Sequence, residues 1–288
     1  MTSLLSNLPL TGGKAYAQRT IKKGRETGHW PSTIPSAVNG NSLGNQEFQD
    51  AARMRYAMVP INLPEKCDGC GAKFTLEHAN SCKHGGLIIG RHDEIQRELS
   101  TIAAMALRES AVRAEPLINP GTYASIKSNS DSNNVEVSSE DHGDILVRGL
   151  WAKQQDGIID VRVTHTDAPS YRDREPNKVL QSQEREKKKK YLNNCLQQRR
   201  TFTPFVVSSD GLLGREAKSL IKQLSVLLTE KWNKPYSVVC GIIRSRISIT
   251  IVRASHQCIR GSCIPACSMS KQIQWEDGGG TGLYRIYR

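Results

Sequence analysis

Four potential metal ligands fall within one short stretch, Cys67-x2-Cys70-x7-His78-x3-Cys82. Three thiolates and one imidazole make a closed four-coordinate set for structural zinc, and closing on one ion leaves the chain few ways to turn. Asp68-Gly69-Cys70-Gly71 supplies the tight turn that brings two sulfurs together, and Gly85-Gly86 permits a sharp exit after Cys82. His84 follows Cys82 too closely to join easily. The alternative is a reduced, metal-free Cys-rich loop; closely spaced pairs of this type favour the metal. His256, Cys258, Cys263 and Cys267 form a second, looser candidate set, in which Cys258 reads equally as a buried small hydrophobe.

Around this segment the chain divides by composition. Residues 1–43 are rich in Gly, Ser, Asn, Pro and Thr, with basic residues at Lys22, Lys23 and Arg25, and read as a loosely ordered leader. Residues 44–66 hold a short helical pattern ended by Pro60 and Pro64, and residues 67–92 form the Cys/His segment. Ile95, Leu99, Ile102 and Ala106 make one apolar helical face, and this helix is predicted to close near Glu115-Pro116. Residues 119–142 read as a polar loop, followed by strands at 144–151 and 158–164. A long helix over 178–200, a strand over 203–209 and a helix over 215–231 come next. Residues 236–253 are apolar and β-branched, and periodicity does not separate strand from helix there. Residues 266–288 read as a tail, which leaves 93–265 as the main α/β domain.

A carboxylate constellation lies in that domain. In IIDVRV the strand period of two puts Asp160 and Arg162 on one face, opposite Ile159, Val161 and Val163. Asp144 opens the preceding strand. It comes opposite Asp160 only if the hairpin turns near Trp151 to Gln154; the Asp156-Gly157 turn signal would instead place Asp144 opposite Pro169. The first register is the one the chemistry requires. On the following helix Leu180, Glu184, Lys187, Tyr191 and Cys195 share a face, so Lys187 is expected to point inward. Lys188, Lys189 and Lys190 are expected on a solvated basic face. Glu115 is a further acid within possible reach, or an ordinary helix-end carboxylate. Two acids that hold Mg²⁺ beside a cation suit in-line hydrolysis of a phosphodiester.

The order of these signals resembles one known arrangement. CDGCGAKFTLEHANSCKHGGLIIGRHDEI, GDILVRGLW, IIDVRV, EREKKKKY and TFTPFVVSSDGLLGREA together look like the C-terminal region of non-LTR retrotransposon polyproteins, downstream of the reverse transcriptase. The resemblance covers roughly residues 43–262, and the knuckle, the Arg91-His92 pair and the Asp-x-x-Val pattern are its specific parts. It implies a Cys-Cys-His-Cys zinc knuckle followed by a restriction-like endonuclease of the PD-(D/E)xK type. The fold implied is a mixed sheet flanked by helices, in the order α-β-β-β-α-β, with one strand still to be found within 117–128. By the resemblance Cys67, Cys70, His78 and Cys82 hold zinc, and Asp144 and Asp160 hold magnesium. Arg162 stands where the usual motif has lysine, which leaves Lys187 to supply the cation. Gly143 replaces the usual proline before Asp144, and no Tyr-x-Asp-Asp polymerase motif is present, so the chain reads as a fragment or stand-alone remnant of such an element.

Charge bears on the partner. Forty Lys plus Arg against 28 Asp plus Glu give a net charge of +12, which favours a polyanion. The partners expected are DNA, the RNA of the parent element and its reverse transcriptase region. Without an apolar run long enough for a bilayer or a secretory leader pattern, the chain is expected to avoid membranes and to reside in a reducing nuclear or cytoplasmic compartment. Three functions compete: a Mg²⁺-dependent DNA endonuclease, an inactive zinc-containing nucleic-acid-binding remnant favoured by Arg162, and an interaction module whose zinc only stabilises the fold.

Overall fold

The computed structural model describes residues 19–20, 23–24, 26–36, 40–119 and 141–264. Among them are six α-helices: α1 (Asn45–Arg55), α2 (Leu76–Ala79), α3 (Leu87–Ala106), α4 (Pro176–Gln197), α5 (Arg215–Trp232) and α6 (Tyr236–Arg260). Six strands accompany them: β1 (Val112–Ala114), β2 (Leu117–Asn119), β3 (Asp141–His142), β4 (Ile145–Arg148), β5 (Asp156–Thr164) and β6 (Thr201–Ser208). The main sheet has the order β1-β4-β5-β6. β1–β4 and β4–β5 are antiparallel and β5–β6 is parallel, so the sheet is mixed, with α4 as the crossover.

Both faces of the sheet are covered, which is why β4 reads as a continuous apolar run. On one face Ile145, Val147, Ile159, Val161, Phe205 and Val207 meet Leu99 and Ile102 of α3, Leu220 and Leu224 of α5, and Ile243 and Ile247 of α6. On the other, Leu146, Ile158 and Phe202 meet Tyr191 and Cys195 of α4. Ile158 and Ile159 therefore serve different cores, and Asp160 shares the α4 face with Ile158.

The β4–β5 hairpin turns near Trp151 to Gln154, as expected, and not at Asp156-Gly157. Ile145 pairs with Ile159, Gly149 N donates to Gln155 O at 2.8 Å, and Gln154 takes a positive φ of 62° in the turn. This register continues to Asp144 opposite Asp160, and Asp144 N donates to Ile159 O at 3.2 Å. The Asp156-Gly157 pair lies inside β5. A Cβ on Gly157 would stand 3.0 Å from Thr201 Oγ1, so this glycine admits the neighbouring strand instead of making a turn.

Several boundaries differ from expectation. α3 ends at Ala106, well before Glu115, because Val112–Ala114 peel away to pair with β4 as the edge strand. The fourth strand of the main sheet is thus β1. Leu117–Asn119 pairs separately with β3, and residues 120–140 lie outside the described residues. Residues 236–253 are helical. Val239, Ile243, Ile247, Ile251, Ala254 and Cys258 recur every three or four residues and are all buried, so packing overrides the β-branched composition.

The described part of the expected leader is bound into the fold. Trp30 is 8% exposed and packs with Ala51 of α1 and Ile249 of α6. Lys23 is buried between Asp167 and Asp210, the latter 2.7 Å away. α1 is fastened to the end of α6 by Asp50, which accepts both Nε and Nη2 of Arg260 at 2.8 Å. Residues 1–18, the basic positions Lys22 and Arg25 and the expected tail at 266–288 fall outside the described residues. No described helix is long and apolar enough to cross a membrane.

Candidate metal centre and active site

The cysteine segment folds as its glycines suggest. Cys67 N donates to Ala72 O at 2.8 Å and Gly71 N to Cys67 O at 2.9 Å, which curls Cys67 and Cys70 toward each other. Gly71 takes a φ of +72°, the left-handed geometry this turn needs. His78 lies on the single turn of α2, whose first amides are capped by Thr75: its Oγ1 accepts His78 N at 3.1 Å. Cys82 N then donates to His78 O at 2.8 Å, fixing the last cysteine of the segment just after the helix.

The four donor atoms of Cys67, Cys70, His78 and Cys82 lie within 4.8 Å of one another, an arrangement that could hold a metal such as zinc. Cys67 and Cys82 sulfurs are 3.9 Å apart, Cys70 and Cys82 are 4.0 Å apart, and Cys70 Sγ is 3.4 Å from His78 Nε2. Sulfurs held about 2.3 Å from one ion at tetrahedral angles stand about 3.8 Å apart, so the spacing suits the ion. Contact with His78 pulls the Cys67 thiol down to about 6, toward the thiolate a metal needs. Cys67 and Cys82 are buried and Cys70 is exposed.

The second candidate set is not assembled. His256 Nδ1 lies 3.2 Å from Asp50 Oδ2, and Cys258 Sγ faces Leu87 O at 3.5 Å. Cys263 reaches the first cluster instead, 3.9 Å from Cys67 Sγ. Burial pushes its thiol up to about 12, so it stands there as a neutral S–H. Cys267 lies outside the described residues.

The acids meet at the start of the central hairpin. Asp144 Oδ2 accepts the amide of Val161 and lies 3.1 Å from His92 Nε2. Asp144 O accepts Gln96 Nε2 at 2.8 Å. His92 and Gln96 are one helical turn apart on α3, so this helix clasps Asp144 at both ends. The hydrogen bond with Asp144, ahead of the opposing effect of burial, pushes His92 up to about 9 and keeps it cationic at neutral pH. Asp160 is 3% exposed. Burial pushes its carboxyl up, against the pull of Lys187, while Asp144 adds repulsion. Lys187 Nζ lies 2.8 Å from Asp160 Oδ2, an oxygen sealed from water that takes no aligned hydrogen bond.

The expected inward stripe of α4 is present: Leu180, Glu184, Tyr191 and Cys195 are buried, and Lys187 reaches the acid from the same face. Its neighbours lie on the expected solvated face, Lys189 and Lys190 exposed and Lys188 half-buried, and two of them find acidic partners there. Lys188 pairs with Glu216 at 2.7 Å, and Lys190 pairs with Asp141 at 2.7 Å while lying over the Tyr191 ring. Arg162 turns away from the acids and donates to Glu186 Oε1 at 3.0 Å. Glu115 is not at a helix end. It occupies the turn after β1 with φ 47°, its side chain is exposed, and its amide donates to Asp144 O at 3.0 Å. It meets the site through main chain, not through its carboxylate.

Gly143 explains the missing proline. Its amide donates to Pro116 O at 2.9 Å, and a Cβ there would stand 2.5 Å from Ile158 Cγ2. A proline would lose that hydrogen bond and meet that contact. Arg91 and His92 divide their work: buried Arg91 donates to Asn80 Oδ1 at 2.7 Å and Asn80 O at 3.2 Å beside the cysteine cluster, while His92 holds Asp144. The sequence marked this pair by resemblance without giving either a task, nothing in it marked Gln96, and it assigned Cys263 to the second candidate set instead of to the neighbourhood of Cys67.

No family model and no curated protein matches this chain.

Proposed function

We propose that the chain is a Mg²⁺-dependent DNA endonuclease of the restriction-like type, with residues 67–92 as a structural zinc knuckle and 93–265 as the cutting domain. The observation that carries this reading is the cross-strand pair of Asp144 and Asp160, with Lys187 on one acid and His92 on the other. The resemblance to the C-terminal region of non-LTR retrotransposon polyproteins supports it, as does the order helix, hairpin, crossover helix and parallel strand. The net charge of +12 supports a nucleic-acid partner. By the same resemblance the element's RNA and its reverse transcriptase region are further partners, and the work is intracellular, in the nucleus or cytoplasm.

The donor set fits a hard divalent cation. Asp160 is a buried carboxylate whose Oδ2 faces only the Lys187 ammonium, and Asp144 offers a second carboxylate across the strand pair. Bound magnesium would lower the pKa of a coordinated water and neutralise scissile phosphate charge. The chain's own groups do the rest. His92 and the Val161 amide fix the Asp144 carboxylate in one orientation. Lys187 holds positive charge beside Asp160, where it can steady an attacking water and the charge that builds on phosphate oxygens. The hairpin sets the spacing of the two acids, so little rearrangement is left for the reaction.

Nicking of supercoiled plasmid, with Mg²⁺ or Mn²⁺ and with EDTA, tests this reading. Wild type should nick only with metal, and the Asp144→Ala, Asp160→Ala double variant should not nick. Metal-dependent nicking that survives the double substitution would refute the site. A second reading, a non-catalytic nucleic-acid-binding remnant, is favoured by Arg162, which pairs with Glu186 instead of facing the acids. Salt-sensitive DNA binding without nicking would select it.

A further inference from the structure

A second donor set lies against the first. One ligand atom each of Cys67, Asp68 and Cys263 lie within 4.8 Å of one another. Cys263 is 196 residues along the chain from Cys67, yet it is seated in the cysteine segment. The Asp68 carboxylate accepts Cys263 N at 3.0 Å and Ser262 Oγ at 2.6 Å. A Cβ on Gly69 would stand 2.5 Å from Cys263 Cβ, and one on Gly85 would stand 2.3 Å from Cys263 Cα. Both glycines therefore leave the room that Cys263 occupies, and Gly85 does so at a φ of +75°.

Cys67 is the member common to both sets. Its sulfur is 3.9 Å from Cys82 Sγ and 3.9 Å from Cys263 Sγ. The Cys263 sulfur joins no donor group with Cys70, His78 or Cys82, so it serves a separate centre. Sulfurs on one tetrahedral ion stand about 3.8 Å apart, so the Cys67–Cys263 spacing suits an ion between them. A thiolate keeps lone pairs after its first metal bond and can bridge to a second ion. Two thiolates and a carboxylate are donors for zinc and its softer relatives, not for magnesium or calcium. Both sulfurs are buried, while Asp68 is exposed and leaves that side of the set open to water. Its carboxylate is already oriented by Ser262 and the Cys263 amide, as metal-binding carboxylates commonly are.

We propose that Cys67, Asp68 and Cys263 bind a second zinc ion, with the Cys67 thiolate bridging it to the ion of the four-donor set. The proposal rests on the zinc reading of that set. As the second ion binds, the Cys263 thiol gives its proton to water and its sulfur bonds to the metal. A water beside Asp68 completes the coordination. The first ion has a closed shell of protein ligands and the second an open position, so a chelator removes the second ion first. While bound, the second ion bonds the chain just after α6 to the cysteine segment.

The test uses the full chain, reduced and reconstituted with zinc. Native mass spectrometry should find two ions on wild type and one on Cys263→Ser. Asp68→Asn keeps an acceptor for Ser262 and for the Cys263 amide, and it too should hold only one ion tightly. Loaded with NMR-active cadmium, wild type should give two resonances coupled to each other through the shared sulfur. Cys263→Ser should give one uncoupled resonance. A single ion on wild type that Cys263→Ser retains would overturn the proposal and leave the four-donor zinc reading standing. Two ions retained by both variants, or two resonances without coupling, would overturn it as well. Wild type without a bound ion, or with a single ion that Cys263→Ser loses and Cys70→Ser keeps, would overturn the zinc reading itself.

Discussion

Asp50→Ala removes a carboxylate that is 0% exposed and that ties α1 to the end of α6. It accepts Arg260 Nε and Nη2 at 2.8 Å each and Gln46 Nε2 at 3.0 Å, with His256 Nδ1 at 3.2 Å. Removing one partner of a buried, hydrogen-bonded pair costs about 3–5 kcal/mol. Two facts set the lower end. Arg260 keeps the carbonyls of Ile61 and Asn62, at 2.8 and 2.9 Å, and its side chain is 20% exposed, so water can reach part of it. We expect a loss of about 3 kcal/mol in urea unfolding at pH 7. Arg260→Met in the same background should cost less than the two single losses added, since both members of the pair are then gone. Burial pushes the Asp50 carboxyl up, but the hydrogen bonds from Arg260 and Gln46 and the Arg260 charge outweigh it, and the net value lies below the ordinary 3.8. The stabilisation is therefore fully present above that value and is lost as pH falls through the lower folded one, so the gap between wild type and variant should close in acid. An Asp50→Ala protein within about 0.5 kcal/mol of wild type at pH 7 would refute the reasoning.

Three other substitutions probe the site. Lys187→Met should lower the nicking rate by about a hundredfold or more while changing DNA affinity little, and a rate within about threefold of wild type would remove Lys187 from the mechanism. Arg162→Ala breaks a pair whose Glu186 partner is largely exposed, so stability should change by less than about 1 kcal/mol and nicking should persist. Loss of nicking with DNA binding intact would return Arg162 to the catalytic set. His78→Ala should release zinc and expose amides 67–92 to hydrogen exchange, and a variant that keeps zinc at the wild-type level would show that His78 is not a ligand.

What could be read from the sequence had a short-range physical cause. Cysteine and histidine spacing marked the cluster of Cys67, Cys70, His78 and Cys82, because four such side chains on one short segment are a local object. The period of two separated Ile158 and Asp160 from Ile159 and Val161, and the requirement that two acids face each other selected the turn at Trp151 to Gln154 over the Asp156-Gly157 signal. The inward stripe of α4 gave Lys187 its direction. The misses had long-range causes. α3 stops at Ala106 because β4 needs an edge partner, and nothing in the local helical pattern reports that need. α6 hid behind β-branched residues whose period becomes clear only when the buried face is known. Arg162 lay on the right strand face but its long side chain found Glu186, and Cys263 belonged to a cluster nearly two hundred residues upstream.

Arg91 and His92 are consecutive, yet one grips the cysteine loop through Asn80 and the other grips Asp144. Successive side chains on a helix diverge by about 100°, so α3 works here as a two-armed caliper with no slack between its jaws. One inserted residue between them would swing an arm by that angle and lift it about 1.5 Å along the axis, too far for both grips to hold. The separation of the two sites is thus gauged by a single peptide bond.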